Sequence, residues 1–237
     1  MVRLNYNPNR RHPYFLLRKE LYKAIVKYKH YMSGKMMDFG CGSSPYKSLF
    51  THVDFYVGVD YHSEGHSHEI EEIDVYYDGK VLPFPDNHFD SIFSTEVFEH
   101  VFNLPEILIE LNRVLKPEGK LLFTCPFVWV EHEIPVDYAR YTRFALKNLI
   151  EKTGFRMVVE DKTGNYITAM AQLKIFYDWQ YFLPKLGFKD IPILKNILYH
   201  YFISLPNVVA EIKSKLYPVS KELYLNNVFI VEKIKND

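Results

Sequence analysis

Short apolar runs closed by Gly or Asp alternate in this chain with segments of helical periodicity, and that alternation constrains the fold more than any other feature. Residues 35–39 and 55–59 are two such runs, closed by Gly40 and Asp60, and the segment between them opens with Ser and Pro and reads as a helix. Residues 89–94 and 120–125 are two more, the second following the turn Lys116-Pro117-Glu118-Gly119. Between these, residues 105–115 place Ile107, Leu108, Leu111, Val114 and Leu115 at helical spacing. Helix 144–152, ended by Gly154, leads to strand 156–160, and 227–233 is the last strand. Strands joined through helices pair in parallel and bury both faces, so the pattern predicts an open, mostly parallel sheet covered by helices on both sides.

The flanks differ. Leu16, Leu17, Leu21, Ala24 and Ile25 recur at helical spacing after Pro13, which predicts a helical cap over 1–33 and leaves 34–163 as the α/β core. From 166 to 217 the chain is aliphatic and aromatic, punctuated by Pro184, Pro192, Pro206 and Pro218. It is read as two or three helices, an insertion over 164–224 serving as lid or dimer face, before a last core strand in 225–237. Its longest apolar piece, 191–212, contains Lys195, Asn196, His200 and Pro206 and fails as a membrane span. Ordinary packing is the leading expectation there; a homodimer face or a peripheral membrane contact stays open.

Composition removes several function classes. With 237 residues, 48% hydrophobic and 24% charged, the chain has ample material for a core and none of the bias of a disordered or low-complexity protein. Lys and Arg (29) balance Asp and Glu (29), and no basic block is present to neutralise a run of phosphates, so nucleic acid is not expected as a partner. Cys41 and Cys125 share no spacing that suggests a disulfide or zinc framework, and the first residues lack an uninterrupted apolar stretch. The expectation is a cytoplasmic protein.

Chemistry concentrates in Met36 to Tyr46, MMDFGCGSSPY, where Gly40 and Gly42 follow a strand. Glycines there reach backbone angles closed to other residues and let a ligand approach the main chain. Ser43 or Ser44 as N-cap and Pro45 as first helical residue would add the positive end of a helix. A nucleotide-phosphate loop is disfavoured: no Gly-Lys-Ser/Thr follows, and Pro45 stands where a dinucleotide fingerprint has its third glycine. Asp38 would repel a diphosphate but suits a cationic amine or sulfonium. Twenty residues beyond Gly40, Asp60 closes the second strand, where a carboxylate accepts bonds from both ribose hydroxyls, and Tyr61 beside it offers a face to an adenine.

Together DFGCGSSPY, YVGVDY, DGKVLPFPDNHFDSIFSTEVFEHV and LNRVLKPEGKLLFTCPF resemble class I S-adenosylmethionine-dependent methyltransferases, from about residue 36 to 155. The small-molecule branch, with quinone and sugar methyltransferases, is the most similar. The resemblance implies a Rossmann-like three-layer α/β/α sandwich with an antiparallel last strand, and S-adenosylmethionine as cofactor. By position it implies that Asp38, Gly40, Cys41 and Gly42 line the methionine and ribose side and that Asp60 takes the ribose hydroxyls. It further implies that Asp78 accepts the adenine amino group beside the Gly79 amide, and that Ser94 lies near the methionine moiety. Ser44 departs from the pattern, which often has a third glycine there.

The methyl group on a sulfonium is already activated, so the protein's main task is to hold an acceptor in line with it. For an oxygen acceptor, a neutral His is the natural proton acceptor. His132 follows strand 120–125 in PFVWVEHEIPVDYARYTRFAL, a stretch that resembles the family's acceptor-side loop, with Asp137, Tyr138, Arg140 and Tyr141 as substrate-side candidates. His100, after strand 89–94, matches a His common in this branch, though fixing the loop is an equal role for it. Arg140 and Arg143 are fit to grip a carboxylate or phosphate, but pairing with Asp137 is the commoner fate of such arginines. His62, Glu64, His66, His68 and Glu69 lack a recognised metal-ligand spacing, and no metal is expected there. The leading expectation is therefore methyl transfer to a small-molecule acceptor, with oxygen preferred. The alternatives are a non-catalytic cofactor-binding or partner- and membrane-recruiting module, and an NAD-dependent oxidoreductase.

Overall fold

Seven strands form one sheet in the order β3-β2-β1-β4-β5-β7-β6. They are β1 (Lys35–Phe39), β2 (Phe55–Tyr61), β3 (Val75–Tyr77), β4 (Phe89–Thr95), β5 (Leu115–Pro126), β6 (Phe155–Lys162) and β7 (Asn226–Lys233). The computed structural model describes residues 6–61, 73–187, 191–218 and 220–235, and the His62 to Glu69 stretch singled out above lies outside them. β1 pairs in parallel with β2 and β4, β2 with β3, and β4 with β5; the sheet is mostly parallel with one antiparallel strand, as the sequence predicts. From β1 the chain runs outward to β2 and β3, then returns to place β4 on the other side of β1. The strand order thus reverses between β1 and β4, the crevice where open sheets of this kind bind ligands at the carboxyl ends of their strands.

The core follows from the pattern of residues. Met37, Phe39, Ile92, Leu121, Phe123 and Phe229 on the central strands are fully buried. Helix α2 (Leu104–Val114) buries Leu104, Ile107, Leu108, Leu111 and Val114, the face its periodicity marks out. Helix α3 (Arg143–Lys152) is capped by the Thr142 side chain, which accepts from the Ala145 amide, and buries Leu146 and Ile150.

Two expectations are corrected and one strand is added. The segment after the glycine turn is not a helix: only Lys47–Leu49 makes a single 3₁₀ turn. Ser, Pro, Tyr, Phe, Thr, His and Val give it little helix propensity, and Ser44, with φ 48, leaves the right-handed region just before Pro45. No helix end therefore points at that turn. Second, 116–119 is an excursion inside β5 rather than a turn before it, since Phe89 pairs with Leu115 and Ser91 already with Lys120, and Glu118 sits at φ 63. The added strand, β3, is three residues long and carries no periodicity of its own.

Contacts divide the chain into two units, one of Met1–Leu4, Ile25–Asp161 and Asn227–Asp237, the other of Asn5–Ala24 and Lys162–Asn226. In the second, the start of α1 (Phe15–Tyr28) joins the inserted helices: Phe15 and Leu16 pack with Ile175, Ile203 and Ala210. Buried Gln172 accepts from the Leu17 amide at 3.0 Å and donates to the Pro13 carbonyl at 2.7 Å. Helix α4 (Tyr166–Tyr177), closed at its start by a reciprocal Asn165/Thr168 capping box, runs through a π-helical turn (Asp178–Phe182) into α5 (Leu183–Lys185). Helix α6 (Pro192–Tyr199) likewise runs through a π turn (His200–Ser204) into α7 (Leu205–Leu216). Each π turn ends two residues before a proline, Pro184 or Pro206, whose missing N–H and bulky ring forbid a regular α-turn at that point. Pro184 and Pro206 are thus absorbed inside two longer rods, while Pro192 opens α6 and Pro218 follows α7.

Candidate functional site

Parallel pairing brings the carboxyl ends of β1, β2, β4 and β5 to one edge of the sheet, and the residues singled out in the sequence fall on that edge. Gly40, at φ 72, donates its amide to the Val59 carbonyl at 2.8 Å, turning the chain sharply off β1. A Cβ on Gly40 would lie 2.3 Å from Val97 Cγ2, so the post-β4 segment presses directly on the turn. At Gly42, φ 47, a Cβ would meet nothing within 4 Å: the main chain there borders open space. The Gly42 amide donates to Asp60 Oδ2 at 2.7 Å, and Tyr61 N donates to Oδ1 at 2.7 Å, which fixes the Asp60 carboxylate against the turn. Ser44, at φ 48, adopts the backbone conformation of a glycine where the family pattern often has one.

Asp38 is buried and accepts from the hydroxyl of Tyr56, a partner the sequence reading missed. The register supplies the signal in retrospect: Met36 pairs with Tyr56 and Asp38 with Gly58. Burial pushes the Asp38 carboxyl up to about 7; the Tyr56 hydrogen bond opposes the rise and the Asp60 charge adds to it. Cys41 is buried and its thiol pushed far up by desolvation, so it is no nucleophile. Asp78 is exposed just beyond β3, its Oδ1 accepting the amides of Lys80 and Val81. Tyr61 and Tyr77 pair across β2 and β3, and a Cβ on Gly79 would lie 3.1 Å from the Tyr61 ring. The Tyr77 hydroxyl feels both Asp60 and Asp78, which places the two acids at the same end of the sheet. Ser94 is buried on β4 with no hydrogen-bond partner for its hydroxyl.

The loops after β4 and β5 form a second pole. Glu96, at φ 55, takes the Thr124 hydroxyl on its carboxylate at 2.7 Å. The 3₁₀ turn Phe98–His100 receives the loop after β5: the Tyr138 and Ala139 amides donate to the Glu99 carbonyl, and His100 Nδ1 lies 2.8 Å from the Val136 carbonyl. A carbonyl only accepts, so His100 carries a proton on Nδ1. The His100 and His132 rings meet edge to face at 4.8 Å. The Glu99 side chain is fully buried, neither oxygen has a hydrogen-bond partner, and burial followed by the charge of Glu96 drives its carboxyl well above the usual range.

Arg140 organises the loop. Its five N–H groups meet five oxygens: Nε to Trp129 O (3.3 Å), Nη1 to Asp137 Oδ1 (2.6 Å) and Ala139 O (2.7 Å), Nη2 to Asp137 Oδ2 (2.7 Å) and Val130 O (2.8 Å). Burial works against the Asp137 charge, but the bonds from Arg140 and the His132 amide outweigh it and hold the carboxyl at about 2. His132 Nδ1 lies 3.3 Å from both Arg140 Nη2 and Asp137 Oδ2. A guanidinium only donates, so in the contact between Arg140 Nη2 and His132 Nδ1 the ring nitrogen accepts. Burial, then the neighbouring His100, lowers the His132 pKa and keeps the ring neutral. Of the four substrate-side candidates, Asp137 and Arg140 are thus engaged with the loop itself and Tyr141 packs against the core. Tyr138 stands exposed beside Phe102, ring centroids 5.4 Å apart. Arg143 pairs with Glu160.

Comparison with known proteins agrees with this geometry. Residues 37–123 match a family model described as a methyltransferase domain. A sterol 24-C-methyltransferase of Gibberella zeae is 28% identical over 119 residues, covering 41% of this chain and 31% of that protein. A fatty-acid O-methyltransferase of Mycolicibacterium smegmatis is 28% identical over 114 residues, covering 44% of this chain and 42% of that protein. The chain thus spans less than half the length of either relative. The solved structure of the [4+2]-cyclase SpnF superposes with a TM-score of 0.55 at 16% identity, covering 100% of this chain and 89% of that one, a likeness of fold alone. Over residues 37–123 the chain is thus similar to a methyltransferase domain, and its strand order is that of a Rossmann-like methyltransferase fold.

Proposed function

We propose that this chain transfers a methyl group from S-adenosylmethionine to an oxygen of a small-molecule acceptor. The observation that supports the reading best is the pressing of Val97 on Gly40, with the Val97 carbonyl accepting the His100 amide at 2.9 Å: the glycine turn and the histidine pole are joined through one residue. The residues present fit the cofactor. Main chain open at Gly42, a buried Ser94 hydroxyl without a partner and an Asp60 carboxylate fixed on the turn are what a polar nucleoside with a charged sulfur requires. Asp38, Gly40, Cys41 and Gly42 would hold its methionine and ribose side, Asp60 its ribose, Asp78, Gly79 and Tyr61 its adenine, and Ser94 its amino-acid end. The bound cofactor supplies a methyl group on a positively charged sulfur. His100 and His132 receive the acceptor hydroxyl, and the Arg140 web holds their loop in place so that alignment is not lost to motion.

The curated relatives' names cover a carbon acceptor and an oxygen acceptor, and the histidine pole favours oxygen. Release of S-adenosylhomocysteine on hydroxylated, amino and activated-carbon acceptors tests this. Turnover on hydroxyl acceptors, lowered by His132→Ala with cofactor affinity intact, is the expected result. Turnover confined to amines or carbon would overturn oxygen as the acceptor atom, and calorimetric binding of NAD instead of S-adenosylmethionine would overturn the whole reading.

For the inserted helices, the peripheral membrane contact is favoured over the homodimer face. Ile193, Ile197, Tyr201, Leu205, Val209, Ile212 and Leu216 follow one another at three- and four-residue spacing and are all exposed. Exposed Lys195, Lys213 and Lys215 flank them, while the acid on these turns, Glu211, is taken by Arg10 and Lys19. An apolar ladder edged by cations complements an anionic lipid surface.

A further inference from the structure

We propose that Glu99, His100 and His132 form a binding site for one divalent first-row transition-metal ion, which holds and acidifies the acceptor hydroxyl. This deepens the oxygen-acceptor reading and rests on it. Three observations converge. One ligand atom from each of the three side chains lies within 4.8 Å of the other two, so movements of about 1 Å bring them to the mutual spacing that metal bonds of roughly 2.1 Å impose. One imidazole is already oriented as a ligand: His100 directs its Nδ1–H to the Val136 carbonyl, the outer-sphere arrangement that fixes a metal-binding tautomer, and the His132 ring meets it edge to face at 4.8 Å. The Glu99 carboxyl is wholly buried with neither oxygen hydrogen-bonded, one of them 3.7 Å from His100 Nε2. The one side-chain donor beside it is the weak Cys125 thiol, so the burial is costly and a cation supplies the missing charge.

Two imidazoles and one carboxylate suit Mn, Fe(II), Co, Ni or Zn better than Mg or Ca, and three protein ligands leave positions open for an acceptor. Glu133, with a carboxylate oxygen 3.7 Å from His100 Nε2, and Glu96 beyond it add negative charge around the site. The chemistry balances without redox change. The hydroxyl of the acceptor binds the ion as a Lewis base and loses its proton to solvent; its oxygen then forms the O–CH3 bond as the S–CH3 bond breaks, and that electron pair neutralises the sulfur. His132 acts here through the ion and not as a direct proton acceptor, since one lone pair cannot serve both.

The test is titration of the chelator-treated full chain with Co(II), read by the visible bands of the imidazole-bound ion and, separately, by calorimetry with S-adenosylhomocysteine. One ion per chain is expected, retained in H62N/H66N/H68N and weakened at least about tenfold in E99Q, in H100N and in H132N, with cofactor affinity unchanged. Absence of Co(II) bands in protein that binds S-adenosylhomocysteine, or bands lost in H62N/H66N/H68N but kept in E99Q and H132N, would overturn the site and leave the methyltransferase reading standing. Metal binding as expected, with no binding of S-adenosylhomocysteine, would sink that reading and leave the metal site.

Discussion

At the scale of single residues, two acids carry different loads. The Asp60 carboxylate is fixed on the turn by the Gly42 amide, and in the proposed site it would meet the ribose already oriented. Asp60→Ala should weaken S-adenosylmethionine binding by about 1.5–3 kcal/mol, the range for hydrogen bonds to a charged group, as read by calorimetry. Asp38 bears on pH. Its carboxyl, ordinarily near 3.8, titrates at about 7 in the folded chain because it is buried. Below that pH it is neutral and offers nothing to a sulfonium; above it, it is already charged. S-adenosylmethionine affinity should therefore climb as pH rises through about 7, by up to roughly tenfold per unit below the midpoint, while the uncharged thioether product shows a flatter profile. Asp38→Asn should abolish the difference. The same shift has a stability sign. Between about pH 4 and pH 7 the unfolded chain releases a proton that the folded chain keeps, so stability falls across that window as pH rises, and thermal melts of Asp38→Asn should lack the fall.

At the scale of elements, the glycine turn separates folding from binding. Both glycines hold positive φ, which costs an alanine about 1–2 kcal/mol, but their surroundings differ. Gly40→Ala also drives its Cβ into Val97 and should cost roughly 3 kcal/mol of stability in denaturant titrations. Gly42→Ala meets open space, so the larger loss is expected in cofactor affinity, with little change in the unfolding midpoint beyond the backbone cost. The reverse ranking would mean that the space beside Gly42 is not where a ligand approaches. β1 was legible to the residue because Met36, Met37 and Phe39 make a short, mostly apolar run with Gly40 and Gly42 after it. The segment that follows was not, because the βαβ pattern suggests a helix that its composition cannot sustain and a single 3₁₀ turn replaces.

At the scale of the molecule, the inserted helices carry the strongest surface signal. The ladder from Ile193 to Leu216 predicts that the chain co-sediments with vesicles containing anionic lipid and much less with neutral ones, and that Ile197→Glu with Leu205→Glu releases it. A chain that stays in the supernatant with both, or that dimerises in sedimentation velocity through this face, would remove the membrane proposal. No helix among the described residues is long and apolar enough to cross a membrane. The ladder itself is written in the spacing of the residues, but whether it is core or surface is not, since apolar residues at helical spacing are ordinarily buried.

By itself, the sequence determined the sheet, its parallel character, the glycine turn and the acids at the strand ends, because strand alternation, helical period and left-handed backbone are local properties written every few residues. Only the tertiary structure decided which polar side chains are taken up by the fold and which are left without a partner. Arg140 looked like a hand for a substrate until its five donors found five oxygens inside its own loop, and Glu99 drew no notice until packing left its carboxyl buried with no partner. Donors and acceptors are paid out across loops far apart in sequence, after β4 and after β5, and no spacing along one chain records that accounting.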